Sequence, residues 1–83
     1  MMALDEVKRL LGDTLQLGDR VKELTAQTPL LGSLPELDSI AVVTVIAALE
    51  ERFGITVDDD EITAETFETV GNLSAFVEQK LAA

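Results

Sequence analysis

Asp38-Ser39-Ile40-Ala41-Val42-Val43-Thr44-Val45-Ile46-Ala47-Ala48-Leu49-Glu50-Glu51-Arg52-Phe53 is the stretch whose reading decides the fold of this chain. Aspartate is a preferred N-cap, and the run of aliphatic residues behind it predicts a long helix whose first turn holds Ser39. At about 100° per residue, Val42, Val45, Ile46, Leu49 and Phe53 gather on one side and form the core face. Ile40, Val43, Thr44, Ala47 and Glu51 gather on the other. Apolar residues on that solvent side, beside Glu50 and Glu51, read as a docking surface with an apolar middle and a charged rim. The alternative is that Ile40 and Val43 tuck against the long connection preceding the helix.

In the first turn the Ser39 hydroxyl is accessible, and the unpaired N–H groups and positive end of the helix dipole accommodate a phosphate. A phosphodiester can be carried there without burying its charge. The same residue also reads as an ordinary serine helping to cap a helix.

Outward from this helix, Leu4, Val7, Leu11 and Leu15 fall on one face and predict a first amphipathic helix from about Ala3 to Gln16, weakened slightly by Gly12 and ended by Leu17-Gly18. A long connection from Gly18 to Asp38 contains Thr28-Pro29, Gly32 and Leu34-Pro35, with only Asp19 to Leu24 suited to a short helical piece. Leu24, Leu30, Leu31, Leu34 and Leu37 give it apolar anchors. Beyond the central helix, Asp60 to Phe67 has room for a short helical turn, and Thr69 is a good N-cap for a last helix from Val70 to about Ala82. Val70, Leu73, Phe76, Val77 and Leu81 are its expected buried stripe. The fold class is all-α: an antiparallel bundle of three main helices plus one short helix, forming a single domain over residues 1–83.

Composition excludes several function classes. A domain of 83 residues has little room for an enclosed catalytic site. With no Cys, His, Trp or Tyr, there is no disulfide, no Cys or His metal site and no imidazole to activate Ser39. The protein is therefore expected not to be an enzyme. No apolar stretch approaches the roughly 20 residues of a membrane span and no apolar segment precedes Asp5 and Glu6, so the expected location is the cytoplasm. The net charge of −10 argues against nucleic acid or an anionic membrane as partner. From Glu36 to Glu68 ten acids face one base, Arg52, so the field surrounds Ser39 and favours basic partners, or else keeps a solvated acidic face. Asp58-Asp59-Asp60-Glu61 lacks the spacing of a calcium loop, and no metal site is expected there.

From Leu4 to Leu81 the chain resembles the acyl carrier protein family. The resemblance rests on Asp38-Ser39-Ile40 at the start of the central helix and on Glu50-Glu51-Arg52-Phe53-Gly54 at its end. It continues through Ile55-Thr56-Val57, the acids Asp58-Asp59-Asp60, and Phe67-Glu68-Thr69-Val70 opening the last helix. It implies that Ser39 receives a phosphopantetheine arm from coenzyme A, with Asp38 as motif and cap, and that the long connection crosses the bundle to deliver the serine helix. It further implies a monomer whose partners are a phosphopantetheinyl transferase, an acyl ligase or acyltransferase, and downstream enzymes of lipid, polyketide or exopolysaccharide-related biosynthesis with basic docking patches. Ile40, Val43, Ala47, Glu50 and Glu51 would meet them. A hydrophobic acyl group would shelter among Val45, Ile46, Leu49, Phe67, Val70 and Phe76. Carriers of bacterial fatty-acid synthesis usually have Gly before Asp-Ser and acids where this chain has Ala41 and Thr44. Leu37-Asp38-Ser39 is nearer to stand-alone carriers such as those that take D-alanine, and Leu34 to Glu50 is most similar to carriers associated with exosortase and exopolysaccharide gene clusters. The competing class is a non-covalent acidic helical protein that binds or inhibits a basic enzyme; it explains the charge but not an accessible serine at the helix start.

Overall fold

Helices α1 (Ala3–Thr14), α2 (Ser39–Phe53) and α3 (Val70–Ala82) frame the computed structural model, which describes residues 3–30 and 38–82, with only the backbone of Asp59. Two 3-10 turns join them, Gly18–Glu23 after α1 and Asp59–Glu61 between α2 and α3; the latter is a short helical element that overlaps only the start of the Asp60 to Phe67 stretch in which one was expected. No described helix is long and apolar enough to cross a membrane.

α1 packs against both other helices, while α2 and α3 touch over a shorter stretch. Val7, Leu10 and Leu11 of α1 meet Val45 and Leu49 of α2 and Val70, Leu73 and Val77 of α3 in one buried cluster, completed by Phe67. Each such side chain contributes about 1.5–3 kcal/mol when fully buried. Lying between two helices widens the buried arc of α1: Ala3 and Leu10 are inside, whereas Leu4, expected in the stripe, is half-buried at its margin.

α1 stops at Thr14, two residues before the expected end. Gln16 turns left-handed, at φ 54°, and the Leu17 N–H donates back to the Gly12 carbonyl at 3.0 Å, a closure that reverses the chain and buries Leu17. Gly12 is an asset here. A Cβ on it would lie 2.8 Å from Val21 Cγ2, so its bare backbone lets the following 3-10 turn rest against α1.

The connection then fastens itself to the start of α3. Leu24 and Leu30 are buried as expected; Leu31, Leu34 and Leu37 lie outside the described residues. The Val70 N–H donates to the Thr28 carbonyl at 3.0 Å, the Gly71 N–H to the Ala26 carbonyl at 2.8 Å, and the Leu30 N–H to the Glu68 carbonyl at 3.0 Å. Thr69 is the N-cap of α3, its Oγ1 accepting the Asn72 N–H at 3.0 Å. Along α3, Val70, Leu73 and Val77 are buried, Phe76 is half-buried, and Leu81 is 41% exposed rather than part of the stripe. Glu78 meets the Ala3 N–H at the first residue of α1, so the turn carrying Leu81 runs past the end of its neighbour.

Candidate functional site

The start of α2 is built by Asp38. Its backbone is extended (φ −98°, ψ −174°), its Oδ1 accepts the Ala41 N–H at 2.8 Å, and its carbonyl accepts the Val42 N–H at 2.9 Å. Ser39 is the first helical residue and is exposed. No acid stands in the first turn, and among the described residues no acceptor meets the N–H groups of Ser39 and Ile40. An accessible hydroxyl thus sits beside two unclaimed donors at the positive end of a 15-residue helix. A phosphodiester on Ser39 fits this setting, because its charge stays in water and meets backbone donors, while the neighbouring Asp38 carboxylate has one oxygen committed to the Ala41 N–H.

The docking face predicted on α2 is open. Ile40 is 77% and Val43 66% exposed, and Thr44, Ala47 and Glu51 are exposed with them. Thr44 spends its hydroxyl on the Ile40 carbonyl, at 3.1 Å. Glu50 differs from its neighbours: it is half-buried, and its carboxylate accepts the Val57 N–H at 2.8 Å, fastening the chain that leaves α2. The opposite side holds Val45 and Leu49 fully buried and Val42, Ile46 and Phe53 partly so, as the helical spacing predicted. Of the interior expected to shelter an acyl chain, Val45, Leu49, Phe67 and Val70 are closed into the core, Ile46 lies at its edge, and Phe76 is half-buried.

The acidic loop is organised around Glu61. Its carboxylate accepts the Asp58 N–H at 2.9 Å and Lys80 Nζ at 2.8 Å, and both hold its pKa below the ordinary glutamate range. Among the described residues no three acidic side chains converge as metal ligands. Arg52, the base within the acidic stretch, pairs with Glu6 of α1. Two features beside the site had no signal in the sequence: the Glu50 to Val57 bond and a hollow between α1 and α2 that opens next to Asp38. The bond depends on the left-handed turn at Gly54 that folds the chain back on α2, and the hollow on residues brought together only by the bundle.

A family model described as a phosphopantetheine attachment site matches residues 5–77. The chain is 38% identical over 79 residues to the acyl carrier protein of Sulfurovum sp. (strain NBC37-1), covering 94% of this chain and 97% of that one. It is 38% identical over 66 residues to that of Exiguobacterium sp. (strain ATCC BAA-1283 / AT1b), with 80% of each covered. Among solved structures, the solution NMR structure of a holo acyl carrier protein from Nitrosomonas europaea superposes with a TM-score of 0.92 at 59% identity, covering 100% of both chains.

Proposed function

The chain belongs to the acyl carrier protein family, and from that premise we propose that Ser39 is the residue that receives its phosphopantetheine arm. The observation that carries this reading is the open start of α2, where an exposed Ser39 follows a capping Asp38 and the N–H groups of Ser39 and Ile40 stand without an acceptor among the described residues. Once attached, the arm supplies a terminal thiol that holds an acyl group as a thioester. The chain's own residues do the rest: Asp38 fixes the helix start, Ser39 presents the attachment oxygen, and the core of α1, α2 and α3 keeps both rigid. The protein acts as carrier and catalyses nothing itself.

Its partners in this reading are the phosphopantetheinyl transferase and the enzymes that load and unload the arm. Ile40, Val43 and Ala47 form the apolar centre of the surface they meet, with Glu51 at its rim. The absence of charge from Ser39 to Leu49 supports docking that is apolar near the attachment point. Glu50 contributes chiefly by anchoring Val57.

The test is intact mass after incubation with coenzyme A and a broad-specificity transferase. Wild type gains one phosphopantetheine, and Ser39→Ala gains none while its circular dichroism is unchanged. Equal gains by both would move the attachment elsewhere. No gain by wild type would favour the non-covalent acidic binding protein.

A further inference from the structure

At about 100° per residue, Asn72, Ala75, Phe76 and Gln79 gather on one face of α3, turned away from the buried Val70, Leu73 and Val77. That face forms one wall of a hollow of about 320 Å³, and Glu65 and Thr66 of the segment before α3 form the other. Phe76 is half-buried there, while Glu65, Ala75 and Gln79 are exposed. The hollow shares no residue with the open face of α2.

Its walls are fixed before anything binds. Asn72 Nδ2 donates to the Glu65 carbonyl at 3.0 Å, and the Glu68 N–H donates to the same oxygen at 3.2 Å. A carbonyl can only accept, so the Asn72 amide is held with its own oxygen pointing away from that bond. The Thr66 N–H closes the turn before it, reaching the Thr63 carbonyl at 3.1 Å and Thr63 Oγ1 at 3.3 Å. Phe67, next along, is buried in the core and pins the segment. The Glu65 carboxylate, Asn72 Oδ1 and the Gln79 carboxamide take part in no hydrogen bond among the described residues. The surrounding charge is one-sided. Asp58 to Glu68 holds six acids and no base, and Lys80, the base that α3 brings to this loop, is already paired with Glu61.

We infer that this hollow is a second docking site, one that takes an arginine side chain from the basic surface of a partner enzyme. The guanidinium group is a flat fork of donors with no acceptor. Two of its parallel N–H groups match the Glu65 carboxylate, and others match the oxygens of Asn72 and Gln79. Its stem and flat face lie on Ala75 and Phe76. Lysine would keep the charge but lose the fork and the stacking. An anion would meet a carboxylate, and an apolar group would leave the acceptors unpaired. The inference rests on the carrier reading only in naming the partner as an enzyme that handles the arm. A partner held on α2 alone is free to turn about that contact; a second point of attachment on α3 fixes its orientation.

The experiment titrates holo protein, its arm confirmed by intact mass, with Nα-acetyl-arginine amide and separately with Nα-acetyl-lysine amide, followed by NMR. The arginine probe is expected to move the signals of Glu65, Thr66, Asn72, Phe76 and Gln79 along one saturating curve, with an affinity about fivefold or more above that of the lysine probe. Glu65→Gln and Phe76→Leu should each weaken arginine binding about threefold or more with circular dichroism unchanged. Gln79→Ala, an exposed change, gives the same reading should Phe76→Leu lose its fold. Equal responses to the two probes, a response that does not saturate, or arginine shifts centred on Asp58 to Asp60 or on Glu51 would overturn the site and leave a diffuse acidic field. Absence of the mass gain would remove the carrier reading, while the same titration on the unmodified chain would still decide the hollow.

Discussion

α2 and α3 begin with the same capping chemistry and end up with opposite exposure. In each, the N-cap side chain takes the N–H three residues on, Asp38 from Ala41 and Thr69 from Asn72, and the cap carbonyl takes the next, from Val42 and Leu73. They part at the first and second helical residues. In α3 the N–H groups of Val70 and Gly71 are claimed by the carbonyls of Thr28 and Ala26; in α2 those of Ser39 and Ile40 meet no acceptor among the described residues. Gly71 makes the difference, since only a residue without Cβ allows the Ala26 carbonyl to come so near. The corresponding residue of α2 is Ile40, whose side chain stands in solvent. One helix start is therefore spent on holding the connection, and the other is left able to receive a phosphate and a partner.

The largest expected effect is on the closed start. In Gly71→Ala the new Cβ would lie 2.8 Å from the Ala26 oxygen and 3.2 Å from its Cβ, so the connection must lift away and the N–H bond is lost. We expect a loss of about 2 kcal/mol by urea unfolding. Ile40→Ala, the matched change at the open start, should stay within about 0.5 kcal/mol. Equal costs would erase the contrast between the two helix ends.

The second expectation concerns function and runs the other way. Ile40→Glu and Val43→Glu should leave folding intact by circular dichroism and lower kcat/KM for the transferase about tenfold, or about 1.4 kcal/mol. Glu51→Lys should mainly slow association and reduce its salt dependence. Glu50 is unsuited to this comparison, because replacing it also releases Val57. Variants of Ile40 and Val43 modified at the wild-type rate would show that the exposed side of α2 is not where the transferase sits.

Third, α2 depends on its own cap. Asp38→Ala should cost about 1 kcal/mol, whereas Asp38→Asn, which keeps an oxygen for the Ala41 N–H, should lose much less. A loss as large in Asn as in Ala would assign the contribution to charge near the helix dipole instead.

The start of α2 was legible in the sequence because its determinants are local: a cap, an unbroken helical run and a face defined by spacing. The start of α3 at Val70 was equally legible, since Thr69 signals it. What closes α3 was not, because Ala26 and Thr28 are more than forty positions away and accept through backbone carbonyls, which every residue possesses. The end of α1 was misjudged for a related reason. Gly18 looked like the stop, but the left-handed residue that ends the helix is Gln16, a type with no preference for that conformation. Gly12 and Gly71 look alike as helix-weakening residues, and only packing reveals that each admits a neighbour, Val21 in one case and Ala26 in the other. Long-range polar contacts such as Glu78 with Ala3 and Arg52 with Glu6 leave no periodic trace at all.

The smallest expected effect lies at the far end of α3, where Lys80 ties that helix to the acidic loop through Glu61. Glu61 has its pKa lowered first by the Asp58 N–H and then by Lys80, so folding favours its charged form. A depressed carboxylate contributes stability that is fully present above its unfolded pKa, about 4.3, and is lost as pH falls through the lower folded value. In Glu61→Gln an oxygen can still accept the Asp58 N–H, but the charge facing Lys80 is gone. Wild type should therefore be slightly more stable than the variant at neutral pH, and the gap should close on acidification below the ordinary glutamate range. Urea midpoints measured across that range decide the matter. A gap that persists unchanged into strong acid would mean that shape, not charge, holds the loop to α3, and that the acids around α2 owe nothing to this latch for their placement.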